Sequence, residues 1–189
     1  MELNANYNNQ AMTPLPLGRA IRELPGQYSK VLTRPATQTF AEEKGKASWG
    51  SIWLQLIGLG FISAILQTVG LLISPPVFSS AVSAGLSQAT LLIVTMVFLA
   101  IATIVLTPVS FLVAGAIIFW IAKAFGGKGS YREQIYTTVL FGVPLVILSY
   151  LLFLIPVAGV WLIYTPHIYS LVLLFLSLRA VHRFGKVEA

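Results

Sequence analysis

No Asp, Glu, Lys or Arg occurs between Lys46 and Lys123, and none between Glu133 and Arg179. A water-soluble domain spreads charge over its whole surface, so two long uncharged blocks in a chain that is 57% hydrophobic exclude one. Lipid is the solvent that such blocks suit. Cysteine is absent as well, which excludes disulfides, thiolate metal sites and cysteine nucleophiles. With no carboxylate inside either block, ion-coupled transport loses its usual chemistry. The chain also lacks a Ser–His–Asp set, an HExxH motif and a pair of carboxylates facing one site, so an enzyme is not expected. The first 30 residues contain no apolar core followed by a small-residue cleavage site, and the first span is expected to act as its own insertion signal.

What charge there is falls in islands. All twelve basic residues lie in Arg19 to Lys46, Lys123 to Arg132, and Arg179 to Lys186. A net charge of +6 in a soluble protein would point to nucleic acid; interleaved with spans, it is the signature of loops retained on the cytoplasmic side, and no nucleic-acid partner is expected. The expected fold is all-α, a polytopic transmembrane bundle of four spans in the cytoplasmic (inner) membrane, with both termini cytoplasmic. Residues 1–47 form a cytoplasmic tail and residues 48–189 the four-span domain.

The tail opens with an Asn-rich stretch, residues 1–16, read as flexible. From Leu17 onward apolar and basic residues mix. This suits one or two short amphipathic helices on the membrane surface, broken at Pro25-Gly26. The first span runs from Trp49 to Ile73, with Trp49 and Trp53 at the headgroup level and Ser74-Pro75-Pro76 ending it. Residues 77–88 read as an uncharged loop or shallow re-entrant turn. The block Ala89 to Ala122 is long: about 34 residues make roughly 51 Å of helix, against a hydrocarbon core of roughly 30 Å. One long helix bent at Pro108 keeps Lys123, Lys128 and Arg132 on the same side as the tail. Two short spans would export them, so the single helix is preferred. The third span covers about Ile135 to Leu154 and the fourth Val160 to Leu178, joined by the turn Ile155 to Gly159.

Two features carry the candidate sites. In the loop FGGKGSYRE, Gly126-Gly127 can end a helix by supplying a left-handed residue, and Ser130 with Glu133 makes a capping box that starts the next. The expectation is a tight structural hairpin; a phosphate-binding loop would need GxxxxGK[ST], which is not present. His167 is the one ionisable group within a span. It is a weak candidate for axial ligation of haem or a pigment, but Tyr164, Thr165, Tyr169 and Ser170 offer ordinary partners, and a structural histidine is expected. No catalytic residue, metal site or cofactor is assigned. The prolines at 108, 144, 156 and 166 are read as helix-bending, and Gln55, Gln67, Ser63 and Thr68 as the other strong polar groups at depth.

The run AKAFGGKGSYREQIYTTVLFGVPLVILSYLLFLIPVAGVWLIYTPHIYSL, from Ala122 onward, resembles the Yip domain family of polytopic membrane proteins. The shared features are a span ending in [LF]GG, a Ser–aromatic start of the next helix, the aromatic-x-x-Pro motif of Phe141 to Pro144, and the IP…G…W…Y turn. The stretch VLTRPATQTFAEEKGKASWGSIWLQL resembles bacterial members, and the resemblance covers roughly residues 30–185. It implies a cytoplasmic N-terminus and a compact bundle. Eukaryotic relatives engage Rab-type GTPases in early secretory traffic or membrane shaping. The family usually has five spans, so a bacterial-type member without the fifth is expected. The functional expectation is a non-enzymatic scaffold or adaptor that meets lipid and other membrane proteins. The alternatives are a small accessory subunit of a larger, energy-converting membrane complex, and a small-solute transporter.

Overall fold

A computed structural model describes residues 16–77, 85, 87–155 and 157–183. Residues 1–15, most of the 77–88 connection, Pro156 and Lys186 lie outside the described residues, and so do the expectations placed on them. The described residues form helices α1 (Leu17–Thr33), α2 (Thr37–Glu43), α3 (Trp49–Ile73), α4 (Gln88–Ala124), α5 (Tyr131–Phe153), α6 (Gly159–Leu162) and α7 (Tyr164–His182), with a 3-10 turn at Lys44–Lys46. No strand occurs among them. Four helices are long and apolar enough to cross a membrane: α3, α4, α5, and α6 with α7 taken together.

The punctuation of these helices is local. Ser48 accepts from the Ser51 amide and starts α3, and Ser87 does the same for α4 through Thr90. Ser74-Pro75-Pro76 follows α3, and the Gln88 side chain reaches the Pro76 carbonyl at 2.7 Å. Helix α4 runs unbroken through Pro108, so the second block is one helix and not two. At 37 residues it is about 55 Å long. Pro108 leaves the Ile104 carbonyl without its usual amide donor. Gly60 of α3 fits against that carbonyl, and a Cβ built there would lie only 3.0 Å from the oxygen. A small residue lets two backbones close up where lipid supplies no hydrophobic drive between helices.

Helix α5 is the centre. Half of its most apolar window is buried, against none of the corresponding window of α4. Tyr136, Val139, Leu140 and Phe141 of α5 pack with Ile52, Leu56 and Leu59 of α3 and Leu173 of α7. Val97, Phe98, Ile101 and Trp120 of α4 face outward, where lipid is their solvent.

The N-terminal helices differ from the sequence expectation in two ways. Two helices do form, but the break falls at Arg34-Pro35-Ala36, and Pro25 sits inside α1. The residue before a proline is steered out of the helical region, and Arg34 obeys with φ −126° and ψ 65°. Pro25 is tolerated because Ala20, Leu24, Gln27 and Val31, spaced 4, 3 and 4 apart, bury one continuous face across it. That face enters the protein core with Phe40 of α2 rather than lying in lipid, while Leu17 and Ile21 stay exposed.

Candidate functional site at the basic end of the bundle

The hairpin between α4 and α5 closes by backbone chemistry. Gly126 has φ +81°, its amide donates to the Lys123 carbonyl, and the Gly127 amide donates to the Ala122 carbonyl, each at 2.9 Å. These are the two bonds of a Schellman stop, which glycine makes without steric cost. Ser130 Oγ accepts from the Glu133 amide, and the Glu133 carboxylate accepts from both the Ser130 amide and its hydroxyl. The predicted capping pair is therefore in contact. Removing it by Ser130→Ala is expected to cost about 1 kcal/mol, read as a lower midpoint of thermal unfolding in detergent.

Gly127 and Gly129 serve another purpose. A Cβ on Gly127 would fall 2.5 Å from His182 Nδ1 and 2.7 Å from the Ala122 carbonyl oxygen. One on Gly129 would meet the Val181 side chain and lie 2.7 Å from the Val181 carbonyl oxygen. The Lys128 amide also donates to the His182 carbonyl at 3.3 Å. The hairpin is thus pressed onto the end of α7, and only glycine fits.

His182 is the residue that the sequence hid. It sits in sequence between Arg179 and Arg183 of the last basic island, yet it is 1% exposed. Its Nε2 lies 2.7 Å from Gln134 Oε1, while Gln134 Nε2 donates to the Gly115 carbonyl at 3.0 Å. The Gly115 bond orients the amide, so Nε2 of His182 carries the proton. The next turn adds a 2.8 Å contact between the hydroxyls of Thr137 and Ser177. A clue lay in the α7 positions Leu173, Ser177 and Ala180, whose buried face runs on to the helix end.

The N-terminal helices are fastened to the same end. Tyr28 donates to Gln55 at 3.0 Å, Tyr136 to Gln27 at 3.0 Å, Tyr169 to the Leu32 carbonyl at 2.6 Å, and Lys44 to the Ala180 carbonyl at 3.0 Å. Glu43, 1% exposed, lies 2.9 Å from both Lys30 and Lys46. Burial pushes the Tyr28 hydroxyl up to about 12. Burial also pulls the Lys30 ammonium down, but its bonds to Glu42 and Glu43 outweigh it and leave the group above its ordinary value. The Lys30 bond holds Glu42 below the ordinary carboxylate range. Desolvation lowers Lys44, Glu133 opposes that, and Arg183 adds to it.

Of the remaining polar residues at depth, the two glutamines are engaged locally, whereas the buried hydroxyls of Ser63 and Thr138 have no hydrogen-bond partner. Gln55 also donates to Ser51, and Gln67 accepts from Thr103 at 2.6 Å. His167 stands apart from the hairpin, 15 residues and so about 22 Å up α7 from His182. It is exposed on the outer surface, and its Nδ1 lies 2.6 Å from the Ile163 carbonyl. Tyr164 and Ser170 are not partners of the ring; Ser170 instead donates to the His167 carbonyl. The ring borders a cavity of about 200 Å³ between α4, α5 and α7. Among the described residues, no three His, Asp or Glu side chains come together as a metal site.

Four apolar helices of spanning length, a buried central helix and an interfacial polar end define a multi-pass α-helical membrane protein. The match with the Yip1 domain family model extends over residues 29–189, so the chain belongs to that family. No curated protein and no solved structure matches it.

Proposed function

We propose that this chain is a non-enzymatic scaffold or adaptor of the cytoplasmic membrane, working through a basic platform on the cytoplasmic side. Residues 48–189 form the four-span unit, with α4 bent at Pro108; residues 1–47 and the chain's other end are cytoplasmic. The observation that carries this reading is the clamping of α1 and α2 onto the bundle by four long-range hydrogen bonds. A segment held so firmly presents a fixed surface, with Leu17 and Ile21 exposed beside Arg19 and Arg22, rather than a loose tether. Such a surface suits docking of other membrane proteins, where rigidity lowers the ordering cost of binding. Purification of the full chain in mild detergent tests this. Co-purification of a protein that is lost on Ile21→Glu supports the reading, and retention of every co-purifying protein by that variant argues against the platform.

The exposed His167 favours a second reading, an accessory subunit that meets a haem or pigment of a partner. The Ile163 carbonyl draws the proton to Nδ1, leaving the Nε2 lone pair as the nitrogen able to ligate. On the first reading, His167→Gln leaves assembly and co-purifying proteins unchanged and the visible spectrum featureless. Loss of an absorbance band from a folded complex would favour the subunit. Transport has less support, because the polar groups at depth are mostly engaged with one another or with backbone.

A further inference from the structure

Beside the hairpin, an open cleft of about 610 Å³ lies between α2, the start of α5 and the end of α7. Lys44, Lys128, Arg132 and Arg183 line it, together with Glu42 and Glu133. Two carboxylates cannot balance four cations, and Glu42 is already paired with a lysine outside the cleft. Glu42 is 2.8 Å from Lys30, and Glu133 holds the amide and hydroxyl of Ser130 in the capping box. Among the described residues, Lys128, Arg132 and Arg183 form no ion pair, and Lys44 is spent on the Ala180 carbonyl. Arg183 is brought to the cleft by a left-handed backbone, φ 57°, that L-residues rarely adopt. Like charges gathered in this way repel unless an anion joins them.

The cleft's depth identifies the anion's carrier. At the same end of the bundle, Trp49 and Phe119 flank Tyr131 with ring centroids 6.0 and 5.6 Å away, and the Lys123 ammonium lies 5.4 Å from the Phe119 ring. Amphipathic aromatics with lysine mark the headgroup layer of a bilayer. A cationic cleft at that level, between helices, is the arrangement that receives acidic lipid headgroups. We propose that this cleft binds the phosphate of an anionic phospholipid headgroup, fixing one lipid at the hairpin. The proposal deepens the platform reading, naming a lipid where that reading names proteins.

The test uses the full chain in dodecyl maltoside with equal amounts of phosphatidylglycerol and phosphatidylcholine, counting retained lipid by native mass spectrometry. Detergent has no sides, so the outcome is independent of topology, and it is independent of protein partners. Wild type retains phosphatidylglycerol preferentially, and equal retention of the two lipids would overturn the proposal without any variant. Lys128→Gln with Arg132→Gln, both exposed positions, lowers that retention roughly fivefold for each charge removed. Arg34→Gln with Arg179→Gln, both exposed, removes the same charge outside the cleft and leaves retention unchanged. Equal losses in the two double variants would reduce the effect to net charge and sink the site. Displacement of the lipid by millimolar inorganic phosphate would make the cleft a soluble-phosphate site, against the lipid assignment.

Discussion

Phe40→Ala is expected to cost about 3–5 kcal/mol, the usual range for emptying a buried aromatic position. Phe40 is fully buried and meets Phe141 edge to face, with ring centroids 6.1 Å apart. It is the largest side chain that α2 contributes to the core shared with α5. The cavity left behind cannot be filled by α2 alone, because Thr39 Oγ1 ties that helix to the Arg34 carbonyl and Lys44 ties the following turn to α7. The loss should therefore appear as release of the N-terminal helices before the spans unfold. Limited proteolysis would read it as cleavage within residues 34–48 while the four-span unit stays intact. Protection of that segment equal to wild type would show that the platform does not depend on Phe40.

Gly129→Val is the second large effect. A side chain there meets the Val181 carbonyl, and backbone cannot move aside as a flexible side chain can. Overpacking commonly costs about 1–3 kcal/mol, and this case belongs at the upper end. Gly126→Val is a different test of the same loop. Open space surrounds that position, so its cost comes from φ +81° alone, about 1–2 kcal/mol for an L-residue. Thermal unfolding in detergent should thus rank Gly129→Val as the more damaging. The reverse order would mean that turn conformation, and not contact with α7, sets the hairpin.

The spans were legible because their signals are local. The two tryptophans and Ser74-Pro75-Pro76 bracket α3 at the residues observed. Ser130 and Glu133 announced α5 through a cap that needs only four residues. What stayed hidden is tertiary. Pro25 reads as a breaker, worth about 3 kcal/mol against a helix interior, yet burial of Leu24 and Val31 on either side of it carries α1 through. His182 reads as one more terminal cation, and only the return of the hairpin and Gln134 from some fifty residues earlier makes it a core side chain. His167 reads as buried because it lies within a span, but α7 turns it outward. Hydropathy fixes depth along a helix axis and says little about the face.

The absence of cysteine from the sequence makes the proposed cytoplasmic placement of the basic platform directly measurable. Lys128→Cys places a single thiol at the exposed hairpin, and Gln88→Cys places one at the exposed start of α4, at the opposite end of that helix. Treatment of intact cells with a membrane-impermeant maleimide should label the chain carrying Gln88→Cys and leave that carrying Lys128→Cys untouched until the membrane is opened. Labelling of the Lys128→Cys chain in intact cells, with protection of the Gln88→Cys chain, would put the basic end outside and contradict the account.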